Sequence, residues 1–142
     1  ETHGLAAALA TLKEIKRLDA VRVMKETGAK VRELAEEVFR RHGLQEALTV
    51  KGHPAWQLVT FRNRDGRPDD AFKTLFLQEV VKHGLLFRGS FVPTISHGPK
   101  ELEQTVAAFD AACAVYKKAL EVGSVKGLLV GEPVKPVFRK FN

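Results

Sequence analysis

An α+β domain, with a small, mainly antiparallel sheet and about four helices packed on one face, is the fold class this sequence predicts. Three observations lead to it. Long stretches near both ends repeat apolar residues at helical spacing. Between them the period changes to short runs rich in β-branched and aromatic residues. Glycine-bearing stops and turn clusters separate the pieces, giving the order helix, helix, strand, strand, helix, short strands, helix.

The first helix is expected over residues 5 to 17, an alanine-rich run whose small side chains favour both helix formation and close packing. A second follows at about 19 to 41, with Val31, Leu34, Ala35 and Val38 as its apolar stripe and Gly28 as a weak point inside it. His42-Gly43 ends it, since glycine takes the left-handed stop readily and a histidine suits the last carbonyls. "LTVKG" and "AWQLVTFR" read as strands, and "NRDGRP" as a turn. Asp69 or Asp70 caps a third helix, "DAFKTLFLQEVVKHG", with Phe72, Leu75, Phe76 and Val80 inward, which closes on His83-Gly84. "LLF" and "FVPTI" read as short extended pieces, the second interrupted as a strand by Pro93. Pro99 opens a fourth helix, where its missing N–H costs nothing, with a stripe of Leu102, Val106, Phe109, Cys113, Tyr116 and Leu120. The domain is therefore placed at residues 1–122, and 123–142, which holds two prolines and no helical period, is expected to be an extended tail over the surface.

A chain of 142 residues, 44% of them hydrophobic, fits one domain with a real core. No apolar run approaches the ~20 residues of a membrane span, and the start lacks the charged-then-apolar order of a signal peptide. A helix begins almost at once after Glu1, which reads as the start of a segment inside something larger. The single cysteine, Cys113, excludes an internal disulfide and points to a reducing, cytoplasmic setting. It falls on the apolar side of its helix, as a buried and inert thiol does. The net charge is +6, which raises nucleic acid as a partner. The basic residues alternate with acids at helical spacing, however, as on a solvated face. Only the tail, with Lys135, Arg139 and Lys140, is uncompensated, so nucleic-acid binding is not the favoured reading.

The usual chemical signatures are missing. There is no glycine-rich phosphate loop, no C-x-x-C and no H-E-x-x-H. His3, His42, His53, His83 and His97 do not share metal-ligand spacing, and no metal is expected. The carboxylates lie mainly on helix faces beside basic residues, which gives paired acid–base catalysis no support. Trp56, after Pro54, reads as a core residue. Arg88 stands out because it sits between "LLF" and "GSF", where a solvated helix face does not account for it; an exposed strand end and a ligand contact are the two readings. On these grounds the chain is an α+β domain without a self-contained active site.

Three stretches in order resemble one family. "GLAAALATLKEI" resembles the alanine-rich helix that opens the C-terminal part of class III, fold type I aminotransferases. "VKGHPAWQLVTF" is similar to the strand pair that follows it. "VVKHGLLFRGSFVPTISHGPKELEQTVAAFDAA" resembles the ending of the glutamate-1-semialdehyde aminomutase-like branch, with its helix, "HG", short strand, Ser/Thr-x-x-His element and acidic helix. The resemblance covers most of residues 3 to 122, and the tail from about 123 lies outside it.

That resemblance implies the smaller, C-terminal domain of a homodimeric enzyme using pyridoxal 5'-phosphate (PLP), whose missing large domain holds most of the cofactor. It implies amino-group transfer on a small amino-acid or other anionic amino substrate. The family's Schiff-base lysine has no match here, since Lys51 and Lys73 have the wrong surroundings. The threonine that contacts the cofactor phosphate across the dimer falls just before residue 1, and Thr2 lines up poorly with it. Where the aminomutase branch carries an acid near the substrate, this chain has "FRGS". That departure puts strict glutamate-1-semialdehyde specificity in doubt and makes Arg88, Ser90 and His97 the candidate substrate-binding residues, Arg88 as a partner for carboxylate or phosphate. Alone, the chain is expected to be inactive. A non-catalytic interaction module is the main alternative, and a basic nucleic-acid binder the lesser one.

Overall fold

The computed structural model describes residues 1–135. Its elements come in the expected order: α1 (Thr2–Arg17), α2 (Ala20–Arg41), β1 (Leu48–His53), β2 (Trp56–Phe61), α3 (Asp70–Lys82), β3 (Ser90–Phe91) and α4 (Pro99–Val122). The fold is α+β, with an antiparallel three-stranded sheet in the order β1-β2-β3.

The sheet's two faces follow from its register. Leu48 lies opposite Phe61 and Val50 opposite Val59, and these side chains turn toward the helices. Thr49–Thr60, Lys51–Leu58 and His53–Trp56 form the other face. Trp56, expected in the core, belongs to that outer face and is 65% exposed. The tight turn at Pro54-Ala55 fixes the pairing, so the tryptophan cannot turn inward without reversing the face of its whole strand.

α2, α3 and α4 supply the helical half of the core. Phe76 of α3 is fully buried among the rings of Phe39, Phe61, Phe87, Phe109 and Tyr116, at centroid distances of 5.2 to 6.5 Å. The Tyr116 hydroxyl donates to the Arg62 carbonyl at 2.7 Å, which gives its one polar atom a partner. Asp69 caps α3: one carboxylate oxygen accepts from the N–H groups of Ala71 and Phe72. The "NRDGRP" turn forms around Asn63, whose side-chain oxygen accepts from the N–H groups of Asp65 and Arg67. Gly43 and Gly84 take positive φ, as the two histidine–glycine stops require.

The α4 stripe is shifted from the expected one. Phe109, Cys113 and Tyr116 are buried, but Leu102, Val106 and Leu120 are only half-buried, and Thr105, Ala108, Ala112 and Ala119 complete the inward face. Leu102 and Val106, with Leu34 of α2, instead floor an open groove between α2 and α4. Leu34, expected in the α2 stripe, is half-buried for the same reason, and Phe39 takes its place.

Gly28 has a reason to be where it is. A Cβ there would stand 1.9 Å from the Pro54 carbonyl oxygen, so the β1–β2 turn rests directly on the α2 backbone. Gln57, only 1% exposed, ties the two together by donating to the carbonyls of Gly28 and Pro54.

Two extended pieces are shorter than expected. "LLF" joins no strand, and of "FVPTI" only Phe91 does, paired with Gln57; Ser90 pairs with Leu58. Pro93, lacking an N–H, is buried just beyond the strand's end. The tail also differs. Residues 125–129 form a turn whose apolar side chains rest on the core. The Gln78 carboxamide then donates to the Leu128 carbonyl and accepts from the Val130 N–H, and the Thr74 hydroxyl accepts from the Val134 N–H. The tail is thus held along α3. Arg139 and Lys140 lie outside the described residues.

α1 stands apart. None of its 16 residues is buried. No helix among the described residues is long and apolar enough to cross a membrane.

Candidate functional site

A cavity of about 350 Å³ opens where the segment after α3 crosses the start of α4. Gly84 lets the chain leave α3 at positive φ, and residues 84–92 then run along the cavity's side. Gln104 of α4 reaches across and donates to the Gly84 carbonyl at 3.1 Å, fastening that segment to the helix. Phe87, which also lines the cavity, packs its buried ring on Phe76 and Phe109, and this anchors the stretch on which its neighbour Arg88 is carried. Gly89 has φ +87, and its carbonyl accepts from the Val59 N–H, so the backbone turns sharply between Arg88 and Ser90.

Arg88, Ser90 and His97 all line this cavity. The three candidates named from the family resemblance, at positions up to nine apart, thus line one cavity. Arg88 is exposed, and its guanidinium has no hydrogen-bond or ion-pair partner among the described residues. Ser90 is half-buried at the start of β3.

His97 is held in place by its own turn. The Thr94 N–H donates to Nδ1 at 2.8 Å, with the Thr94 hydroxyl 3.0 Å from the same nitrogen. The ring also packs on Phe91, with centroids 5.2 Å apart. The Thr-x-x-His spacing is thus a local device that aims the imidazole.

Sequence reasoning passed over two further lining residues, Glu101 and Gln104. Both lie in the first two turns of α4, which begins at Pro99, and are three positions apart, so they share one side of that helix. Their apparent role as solvated helix residues hid them. Glu101 closes a capping box by accepting from the Gly98 N–H at 2.9 Å. Backbone N–H groups at the helix start, its own and that of Gly98, hold its carboxyl below the usual carboxylate range.

The remaining candidates fall elsewhere. Cys113 is fully buried, and burial with Asp110 nearby pushes its thiol up to about 12, so it is inert as a nucleophile. His42 is tied to Asp110 at 2.9 Å across the α2–α4 seam. Among the described residues no group of three or more His, Cys, Asp or Glu is placed to hold a metal ion. No lysine lines the cavity. The lining sets the possible donors Arg88, Ser90 and His97 beside the Glu101 carboxylate.

No protein-family model, curated protein or solved structure matches the chain.

Proposed function

We propose that this chain is the smaller, C-terminal domain of a PLP-dependent class III aminotransferase or aminomutase, similar to the glutamate-1-semialdehyde aminomutase branch, and that it presents Arg88 to an anionic amino substrate. One observation carries the reading: Arg88, Ser90 and His97 line one cavity of metabolite size. The order of the three family-like stretches supports it. In this reading PLP is held by a large domain upstream of Glu1, in a homodimeric cytoplasmic enzyme. PLP, when bound there, supplies the electron sink for amino transfer. This chain's residues do not fit the cofactor by themselves, and their part is to bind and orient the substrate.

Arg88 is the central group. Its planar fork suits a carboxylate or phosphate, and closing the cavity against another domain strengthens that pairing by excluding water. Losing such a charge-assisted bond costs ~1.5–3 kcal/mol, roughly one to two decades in binding. Steady-state kinetics of the full-length enzyme, with PLP saturating, is the test. Arg88→Ala is expected to lower kcat/KM by that factor, and Arg88→Lys to recover part of it. An unchanged kcat/KM in a folded Arg88→Ala enzyme removes Arg88 as a ligand. The isolated chain, mixed with PLP, is expected to form no stoichiometric lysine adduct and to show no turnover. A single adduct with transaminase turnover overturns the division of labour.

A second reading, a non-catalytic interaction module, draws on α1, whose Leu5, Leu9 and Leu12 are all more than half exposed. The coding sequence upstream of Glu1 separates the two. A large domain with a lysine at the end of a strand supports the enzyme. A start codon directly before Glu1 supports the module.

A further inference from the structure

We infer that His97 is a specificity-determining residue of the same cavity, presenting a fixed Nε2–H donor that shares a substrate carboxylate with Arg88. The inference rests on the anion-binding reading above and extends it to a second donor. A neutral imidazole has one N–H donor and one acceptor nitrogen. At His97 the acceptor is settled by geometry, because the Thr94 N–H donates to Nδ1 at 2.8 Å. The ring proton of the neutral form therefore sits on Nε2. Packing against Phe91 fixes the ring plane, and Nε2 has no partner among the described residues. A turn that needed only an Nδ1 acceptor would be served by a shorter side chain. The imidazole instead carries a rigid donor to the cavity wall that also holds Arg88 and Ser90.

The charges around the cavity fit one compact oxyanion. Arg88 brings a full positive charge, and His97 and Ser90 bring directional donors. Glu101 is the one carboxylate in the lining, and one of its oxygens is occupied by the Gly98 N–H. Two donors on different arms of the cavity, one on the segment before β3 and one in the turn that precedes α4, discriminate by geometry. They favour a planar carboxylate that both can reach over a neutral polar group of similar size.

The experiment separates the two nitrogens. Asparagine reproduces the Nδ1 acceptor of histidine, and glutamine more nearly reproduces the Nε2 position. The 15N-labelled chain is observed by long-range proton–nitrogen NMR of its imidazoles during titration with acetate and, separately, inorganic phosphate. The expected result is a protonated Nε2 and a bare Nδ1 in the free chain. Acetate then shifts His97 Nε2 and the Arg88 side-chain N–H along one saturating curve. His97→Asn should keep the Thr94 and Ser96 amide positions, showing an intact turn, yet weaken acetate binding about tenfold, the factor for one lost hydrogen bond. His97→Gln should recover part of it. Equal acetate affinity in wild type and His97→Asn, or a free chain with the proton on Nδ1, overturns the inference. A response at Arg88 without one at His97 overturns it too, while leaving the Arg88 reading intact. No saturable response at either side chain removes the shared site. The aminotransferase reading stands or falls separately, on the upstream sequence and the kinetics. A tighter response to phosphate than to acetate replaces the carboxylate assignment with phosphate.

Discussion

α1 and α4 are both alanine-rich amphipathic helices, yet they end in opposite environments. α4 buries Thr105, Ala108, Phe109, Ala112, Cys113, Tyr116 and Ala119, while α1 buries nothing. Their sequences differ little in kind: "LAAALATL" and "VAAFDAACAVY" each place apolar residues at helical spacing. Periodicity fixes that a helix has an apolar side, and the partner of that side is a tertiary fact. α4 finds α3 and α2 within the described residues, and α1 finds only its junction with α2. The same amphipathic pattern thus serves a core in one place and leaves an unmet surface in the other.

The largest expected effect comes from removing a buried ring of α4. Phe109 is 2% exposed and packs against the rings of Phe39, Phe76 and Phe87. Phe109→Ala should lower the unfolding free energy by about 3–5 kcal/mol, read from urea midpoints, since the cavity adds to the lost transfer energy. A loss below ~1 kcal/mol would mean that the aromatic cluster is loosely packed, and α4 would then be no better buried than α1.

Glycines give the next largest contrast. A Cβ at Gly28 would collide with the Pro54 carbonyl, whereas at Gly4 of α1 its closest neighbour would be Glu1 at 3.6 Å. Glycine to alanine inside an exposed helix is normally favourable by up to ~1 kcal/mol. Gly4→Ala should follow that rule and raise helicity by circular dichroism. Gly28→Ala should reverse it, costing about 1–3 kcal/mol because the β1–β2 turn must move off α2. Stabilisation by Gly28→Ala would show that the turn does not rest on the helix.

A smaller effect comes from Glu79, which is 6% exposed. Burial pushes its carboxyl up, but the Lys82 ammonium at 2.7 Å and the Gln78 amide outweigh that, leaving it below the usual range. A carboxyl depressed in the fold stabilises above its unfolded pKa, and the contribution fades as pH falls through the folded value. Glu79→Gln should therefore cost ~1 kcal/mol at neutral pH. The gap to wild type should close as the pH drops below about 4.3, the ordinary glutamate value. A gap that widens in acid would reverse the sign.

The fold was legible wherever a local rule decides it. The histidine–glycine stops, the Asp69 cap, the Asn63 turn and the α3 stripe all depend on neighbours within a few residues. Placement that depends on distant partners was not legible. Trp56 went outward because hairpin register set its face, and Leu102 and Val106 gave way to alanines because α4 rolls its small residues against α3 and α2. Gly28 read as a flaw because nothing nearby in sequence reveals that Pro54 will sit on it. At the cavity, the three residues drawn from family resemblance came together, whereas Glu101 and Gln104 were hidden by their ordinary look as helix-surface residues.

The smallest expected effect on stability is also the one that bears most on the contrast between the two helices. Leu5, Leu9 and Leu12 are 73%, 55% and 62% exposed, so they have little burial to lose. Leu9→Ala should change the unfolding free energy by less than ~0.5 kcal/mol, the range of surface substitutions. Association is another matter, because a contiguous apolar stripe is a surface that water disfavours. The chain is expected to self-associate at high concentration, and sedimentation velocity should show this. Leu9→Lys should shift it toward monomer, because an ammonium in the stripe carries a desolvation cost into any contact. The urea midpoint, measured in dilute solution, should hardly move. A wild-type chain that stays monomeric at high concentration would show the α1 stripe to be harmless in water and weaken its reading as an interface. A Leu9→Ala loss near that of Phe109→Ala would go further: α1 would then belong to the core, and the difference between the two helices would disappear.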